Sequence, residues 1–242
     1  MSKLFEGAVK DWKFVLGFIL FSIIFWVAEL AYQVYFGNVL SLDMAIVRGF
    51  AFSGATFITL SLLSSIVFKF HPKYAKYHYV RRSFGVMGVV FGMLHIYTAL
   101  NAYFFWNLSM VYSSLNPIEN PLIFGSFAFS LLFIMFLTST DWAEEKLTPP
   151  RWKMIHRLVY FAYWALIAHF LLTNPPALMN LAGYLLIFLA LVTLAGQLYW
   201  FVKMSSMRKF ANLGTKIGFI VILLYLILAY FIYMKYFSQV IT

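Results

Sequence analysis

The chain has 242 residues, of which 63% are hydrophobic and 11% charged, and a formal net charge of +10. A soluble domain is about half apolar and about a quarter charged, so a water-soluble globule is excluded, and the wealth of Phe, Leu and Ile excludes a solvated coil. With no cysteine, disulfides, thiolate metal sites and iron–sulfur clusters are excluded as well.

Seven unbroken apolar runs follow one another along the chain, at about 14–35, 48–68, 83–105, 121–138, 154–173, 180–202 and 217–237, each near the roughly 20 residues that a spanning helix needs. They are too long and continuous for the alternating strands of a membrane barrel. The expected class is therefore all-α, a polytopic membrane bundle of about seven transmembrane helices forming a single transmembrane domain over 1–242. The first run is too long for a cleavable leader and lacks a small-residue cleavage site. No internal repeat stands out, and no Gly-rich dinucleotide fingerprint follows a strand-like run, so no NAD- or flavin-binding module is expected within the chain.

Charge sets the expected topology. With the N-terminus cytoplasmic, the inner segments hold 16 of the 18 basic residues, and only Arg48 and Lys235 fall on the other side. By the positive-inside rule the N-terminus is cytoplasmic, the C-terminus outside, and the protein a multi-pass component of the cell membrane. The net charge is then a topology signal and an attraction to anionic membrane lipids, and no nucleic-acid partner is expected.

Ionisable groups within spans are costly and point to function. His95 lies in the third run, and His156 and His169 in the fifth. His95 follows Arg82 by 13 residues and His169 follows Arg157 by 12, so both imidazoles are expected at a matching depth, roughly 18–20 Å from those basic anchors. Gly85, Gly88, Gly92 and His95 fall within an arc of about 80° on one helix, and Ala162 and Ala165 share the His169 face of the other. Small residues beneath a histidine leave space for a flat macrocycle, as in a bis-imidazole b-type haem. They equally describe close helix packing, and the spacing alone leaves both open. Zinc or copper is disfavoured, because no third or fourth ligand of suitable type is evident at that depth.

Arg81-Arg82-Ser83-Phe84-Gly85 leading to Leu94-His95 resembles the third helix of the ferric-reductase-like transmembrane superfamily. Phe136-Leu137-Thr138-Ser139-Thr140, then Trp152-Lys153-Met154-Ile155-His156-Arg157-Leu158-Val159-Tyr160 and His169, resemble it too. The likeness covers about 45–200 and is greatest to the MsrQ branch, the haem-bearing membrane subunits of methionine sulfoxide reductase systems. That resemblance implies a helical bundle carrying electrons across the membrane through b-type haem. It matches His95 and His169 to the ligands of an outer haem, His156 to a ligand of a second, inner haem, and Arg81 and Arg82 to the double arginine that opens the third helix. The superfamily's other inner ligand position is occupied here by Arg81, with His78 or His71 as substitutes. On an ideal helix His156 also points about 140° away from His169. One haem is thus expected and a second is unsettled. The run 217–237 is a further departure, because the MsrQ pattern ends after six spans, and it is read as packing or oligomer surface.

Arg81, Arg82, Lys153 and Arg157 are read as partners of haem propionates, an FMN phosphate or a quinone headgroup, against ordinary positive-inside snorkelling. Arg48 breaks the charge rule and is assigned either to an outer propionate or to Asp43. Glu29, with Gln33, Asn101 and Gln197, is divided between a proton or quinone role and interhelical hydrogen bonds. The functional expectation is a membrane oxidoreductase subunit passing electrons from a cytoplasmic flavin reductase or quinol to an outer-side reductase or other acceptor. Two rivals stand beside it: a direct ferric or cupric metalloreductase of the same fold, and a haem-free proton-coupled transporter.

Overall fold

The computed structural model describes residues 12–173, 175–206 and 213–236. Lys3, Lys10, Arg208 and Lys209 of the charge count lie outside the described residues, as does Asn174. In chain order the α-helices are α1 (Trp12–Phe36), α2 (Leu42–Phe70), α3 (His78–Tyr103), α4 (Leu108–Val111), α5 (Leu122–Leu137), α6 (Asp141–Leu147), α7 (Pro149–His156), α8 (Val159–Thr173), α9 (Leu181–Ser206) and α10 (Leu213–Tyr236), with 3-10 turns at Pro72–Tyr77 and Pro175–Leu178. No strand occurs among the described residues.

Six helical segments are long and apolar enough to cross a membrane, and the number rises to seven if one bent pair forms a span. The chain is therefore an all-α, multi-pass membrane protein. The bent pair is the fourth expected span. Helix α5 has 16 residues, about 24 Å at 1.5 Å per residue and short of a roughly 30 Å hydrocarbon core, and the chain turns through 89° into α6.

By its internal contacts the chain divides into two compact units, Met1–Phe105 with Asn180–Leu194, and Trp106–Met179 with Ala195–Thr242. In the first, α2 packs against both α1 and α3 and is the most buried of the three. Ser41 caps its start, accepting from the Met44 N–H at 3.2 Å. Its hydroxyls at Thr59, Ser64 and Ser65 donate to carbonyls four residues back, which satisfies them without water. Phe57 is fully buried and lies 5.3–5.4 Å, ring to ring, from Phe25, Phe84 and Phe91. Trp26 stacks on Phe50 at 4.7 Å. Offset and edge-on rings of this kind fill the unit with large, stiff side chains.

The second unit is built on α5 against α8, with α10 packed along α8. Phe124, Ala128, Trp164, Ala165, Ala168, Leu172 and Leu228 form its core. Trp164 stands edge-on to Phe124 at 5.4 Å and donates its indole N–H to the Leu224 carbonyl at 2.9 Å. The seventh run is thus a packed partner of α8. Trp164→Phe keeps an aromatic ring but removes the donor and part of the buried bicycle, and is expected to lower stability by about 1–3 kcal/mol. Equilibrium unfolding in detergent checks this, and an unchanged midpoint would mean that the bond does not hold α10.

Between α7 and α8 the helix tightens. The Arg157 N–H is shared by the carbonyls of Lys153 and Met154, while Leu158 and Tyr160 bond to the carbonyls of Ile155 and Arg157, three residues back. Bonds of this i−3 kind wind the backbone more tightly than the α-helix on either side. The run from His156 to His169 is therefore not one ideal helix.

Candidate functional site: two anchored imidazoles

In the first unit His95 projects from α3 toward α2, where its Nδ1 lies 3.0 Å from the Val47 carbonyl oxygen. A carbonyl has no proton to give, so Nδ1 carries it and donates, which places the ring's lone pair on Nε2. In the second unit His169 projects from α8, and its Nδ1 lies 3.2 Å from the Pro121 carbonyl oxygen at the start of α5. The same assignment follows, with Thr173 Oγ1 also 3.2 Å from Nδ1. In both units the accepting carbonyl lies 48 residues before the histidine. A ring anchored through Nδ1–H to a backbone carbonyl is the usual second-sphere arrangement of a metal-ligating imidazole.

The space around the two rings differs from the sequence expectation. Gly88 is a packing glycine, because a Cβ there would meet Ile58 Cδ1 at 2.8 Å and the Ile58 nitrogen at 3.0 Å. Gly85 likewise faces Ser61 on α2, whereas a Cβ at Gly92 would meet nothing within 4 Å. Opposite them, Gly54 brings α2 against the Gly88 carbonyl and the Gly92 nitrogen. Close helix crossing therefore uses Gly85 and Gly88, and open space is left only at Gly92. Ala162 and Ala165 are fully buried, Ala165 within the packed core against α5, so they too serve packing. The residue that makes room for His169 is Gly125 on α5, where a Cβ would lie 3.0 Å from His169 Nδ1 and 3.1 Å from Cε1. Within an uninterrupted apolar run, nothing marked that glycine out.

His156 closes α7 in a different setting. Its ring stacks on Trp152 at 3.9 Å, and its Nε2 lies 3.3 Å from Thr138 Oγ1. The Trp152 indole N–H donates to the Thr138 carbonyl at 3.0 Å. The Thr138 hydroxyl donates back to the Ile134 carbonyl at 3.0 Å, so toward His156 it acts as an acceptor and Nε2 carries the proton. The Thr138-Ser139-Thr140 motif has a legible structural task. Thr138 ends α5 and holds Trp152 and His156, Ser139 donates to the Met135 carbonyl at 2.6 Å, and Thr140 caps α6.

The basic residues are placed unit by unit. Arg81 and Arg82 are the fourth and fifth residues of α3, and the Arg81 carbonyl accepts from Ser61 Oγ at 3.0 Å. Arg157 sits at the tightened junction of α7 and α8. Arg48 donates Nη1 to the Gly37 carbonyl at 2.8 Å, closing the turn between α1 and α2. Glu29 accepts from Gln33 Nε2 at 2.8 Å within α1 rather than between helices. Among the described residues no group of three His, Asp or Glu side chains gathers where it could hold a metal ion.

Fold and side chains together define a multi-pass helical membrane protein whose spans carry imidazoles with the lone pair directed through Nε2. The family model described as ferric reductase like transmembrane component matches residues 47–167, and the chain belongs to that family. The matched stretch contains His95 and His156 and ends two residues before His169. The chain is also similar to curated proteins named protein-methionine-sulfoxide reductase heme-binding subunit MsrQ, among them those of Brucella ovis, Brucella canis and Brucella melitensis. Each is 31% identical over 94 residues, which is 38% of this chain and 41% of the relative. The chain thus matches about two fifths of the length of these relatives.

Proposed function

We propose that the chain is a membrane-embedded electron carrier that holds b-type haem and serves as the membrane subunit of an oxidoreductase system. The observation that carries this reading is the pair of imidazoles with the same anchor, His95 on Val47 and His169 on Pro121. Their donor chemistry fits a haem iron, which takes neutral imidazole nitrogen and is tuned by what the opposite ring nitrogen bonds. Family membership and the haem-binding subunits among the relatives support the same reading.

Bound haem supplies a one-electron couple, the chemistry the side chains lack. The chain's residues do the rest. Val47 and Pro121 fix the tautomer and heading of each imidazole, and Gly125 gives the His169 ring its place. Arg81, Arg82 and Arg157 are proposed to hold propionates, an FMN phosphate or a quinone headgroup by charge-assisted hydrogen bonds, and Arg48 a propionate at the opposite side. Electrons would enter on the cytoplasmic side from a flavin reductase or quinol and leave to an outer-side reductase or other acceptor, with the N-terminus cytoplasmic as the basic residues direct. The core of this activity is assigned to 45–200. One haem is proposed, on the resemblance that matches His95 and His169 to its ligands. A second, at His156, rests on the resemblance alone, because Nε2 there faces Thr138.

Absorption spectra of the purified chain, oxidised and dithionite-reduced, test the proposal beside His95→Ala and His169→Ala. A low-spin b-type spectrum in the wild type, lost in either variant, is expected. A wild type that stays colourless after haem reconstitution would sink the carrier reading and favour a proton-coupled transporter.

A further inference from the structure

Sixteen of the eighteen basic residues fall on one side by the charge count, and Arg48 and Lys235 do not. A lone cation at a span's end ordinarily snorkels to water. Both of these instead donate to backbone. Arg48 bonds the Gly37 carbonyl just past the end of α1. Lys235, in the last turn of α10, bonds the Leu172 carbonyl at 2.9 Å and the Ile118 carbonyl at 3.1 Å.

We propose that Lys235 is a positioning residue for His169, and that α10 is the element that delivers it. Its two acceptors belong to the two backbone segments that hold the ring. Leu172 adjoins Thr173, and Ile118 lies three residues before Pro121, both of which contact His169 Nδ1. The Lys235 ammonium thus ties together the two walls of the His169 cradle. The Ile118 wall is itself stiffened: Ser114 Oγ and Asn116 Nδ2 donate to the Glu119 carboxylate at 2.7 and 2.9 Å, and Asn120 Nδ2 donates to the Val111 carbonyl at 2.8 Å.

Helix ends explain why a cation belongs there. Contacts of Trp164 with Leu224, and of Leu172 with Lys235, run in the same sense, so α8 and α10 are parallel. Their negative ends coincide, and the last carbonyls of α8 have no partner within their own helix. Lys235 meets that demand, and Tyr236 adds to it, its hydroxyl lying 3.3 Å from the carbonyls of Leu171 and Leu172. The first unit repeats the logic on a smaller scale, since Arg48 directly follows Val47, the anchor of His95. Helix α10 lies wholly beyond the residues matched by the family model.

The inference rests on His169 being an iron ligand, so one readout avoids haem altogether. The full chain is compared with Lys235→Met, which keeps the length without the charge, and Lys235→Arg, which keeps both charge and donors. In the cofactor-free proteins, nitrogen NMR of labelled histidine reads the Nδ1–H form of His169. A population shift of tenfold or more is expected in Lys235→Met, with the wild-type signal restored in Lys235→Arg. After haem loading, loss of a nearby cation disfavours the reduced state. At a fixed potential the reduced-to-oxidised ratio is expected to fall about tenfold in Lys235→Met, equivalent to about 59 mV for one electron. An unmoved histidine signal overturns the proposal, as does a moved signal that Lys235→Arg fails to restore. A wild type that takes no haem defeats the function proposed above, and the histidine signal then decides the role of Lys235 by itself.

Discussion

In a Gly125→Val variant the His169 ring is expected to be expelled from its anchor, and the low-spin haem spectrum to be lost as fully as in His169→Ala. The single methyl of alanine at this position would already stand 3.0 Å from Nδ1, 3.1 Å from Cε1 and 3.2 Å from Cγ, tighter than ordinary van der Waals contact. Valine adds two further methyls on the face of α5 that already touches the ring, and α5 packs along α8. Overpacking of this kind costs about 1–3 kcal/mol, while the Nδ1–H bond to Pro121 is worth only about 1 kcal/mol, so the bond yields first. Gly125→Ala should give a partial effect and Gly125→Val a complete one. Haem content and the nitrogen signature of His169 measure both. A Gly125→Val protein with wild-type haem content would show that the ring does not need this space.

The candidate histidines were legible in the sequence, and what was missed around them has physical causes. The apolar runs named every span, because hydrocarbon length leaves a helix little freedom, and the three histidines stood out as costly intruders. The anchors Val47 and Pro121 were invisible because each acts through its carbonyl, a group that every residue carries. Gly125 was hidden because a glycine in an apolar run signals nothing until the ring it faces is known. The fourth run, 121–138, is α5 almost residue for residue, but the 89° turn into α6 that follows it was not legible, because Thr138, Trp152 and Thr140 build that corner through backbone and indole hydrogen bonds. The charge count isolated Lys235 with Arg48 as exceptions, and both donate to backbone carbonyls near helix ends, but the count carries no sign of the acceptors.

The glycines of α3 divide between packing and open space, and one substitution separates these roles in energy. Gly88→Ala is expected to destabilise the chain by about 1–3 kcal/mol, because its new Cβ would sit 2.8 Å from Ile58 Cδ1 and 2.9 Å from Cγ1. Ile58 is 4% exposed and has little room to turn away. Ile58→Ala alone removes buried methyls and should cost about 2–5 kcal/mol. Combined, the two should cost less than their sum, with a coupling of about 0.5–3 kcal/mol, since the truncated side chain no longer meets the new methyl. Part of the penalty should persist, because the Ile58 nitrogen remains 3.0 Å away and backbone yields less readily than a side-chain tip. Equilibrium unfolding of the four proteins in one detergent measures the cycle. The same displacement acts on His95, seven residues further along α3, whose Nδ1 must reach across to α2 for its carbonyl. Gly88→Ala should therefore weaken the His95 anchor, and Ile58→Ala should partly restore it. Strict additivity of the two substitutions would mean that α2 and α3 are not held at the distance Gly88 sets, and would remove the reason for a glycine at that position.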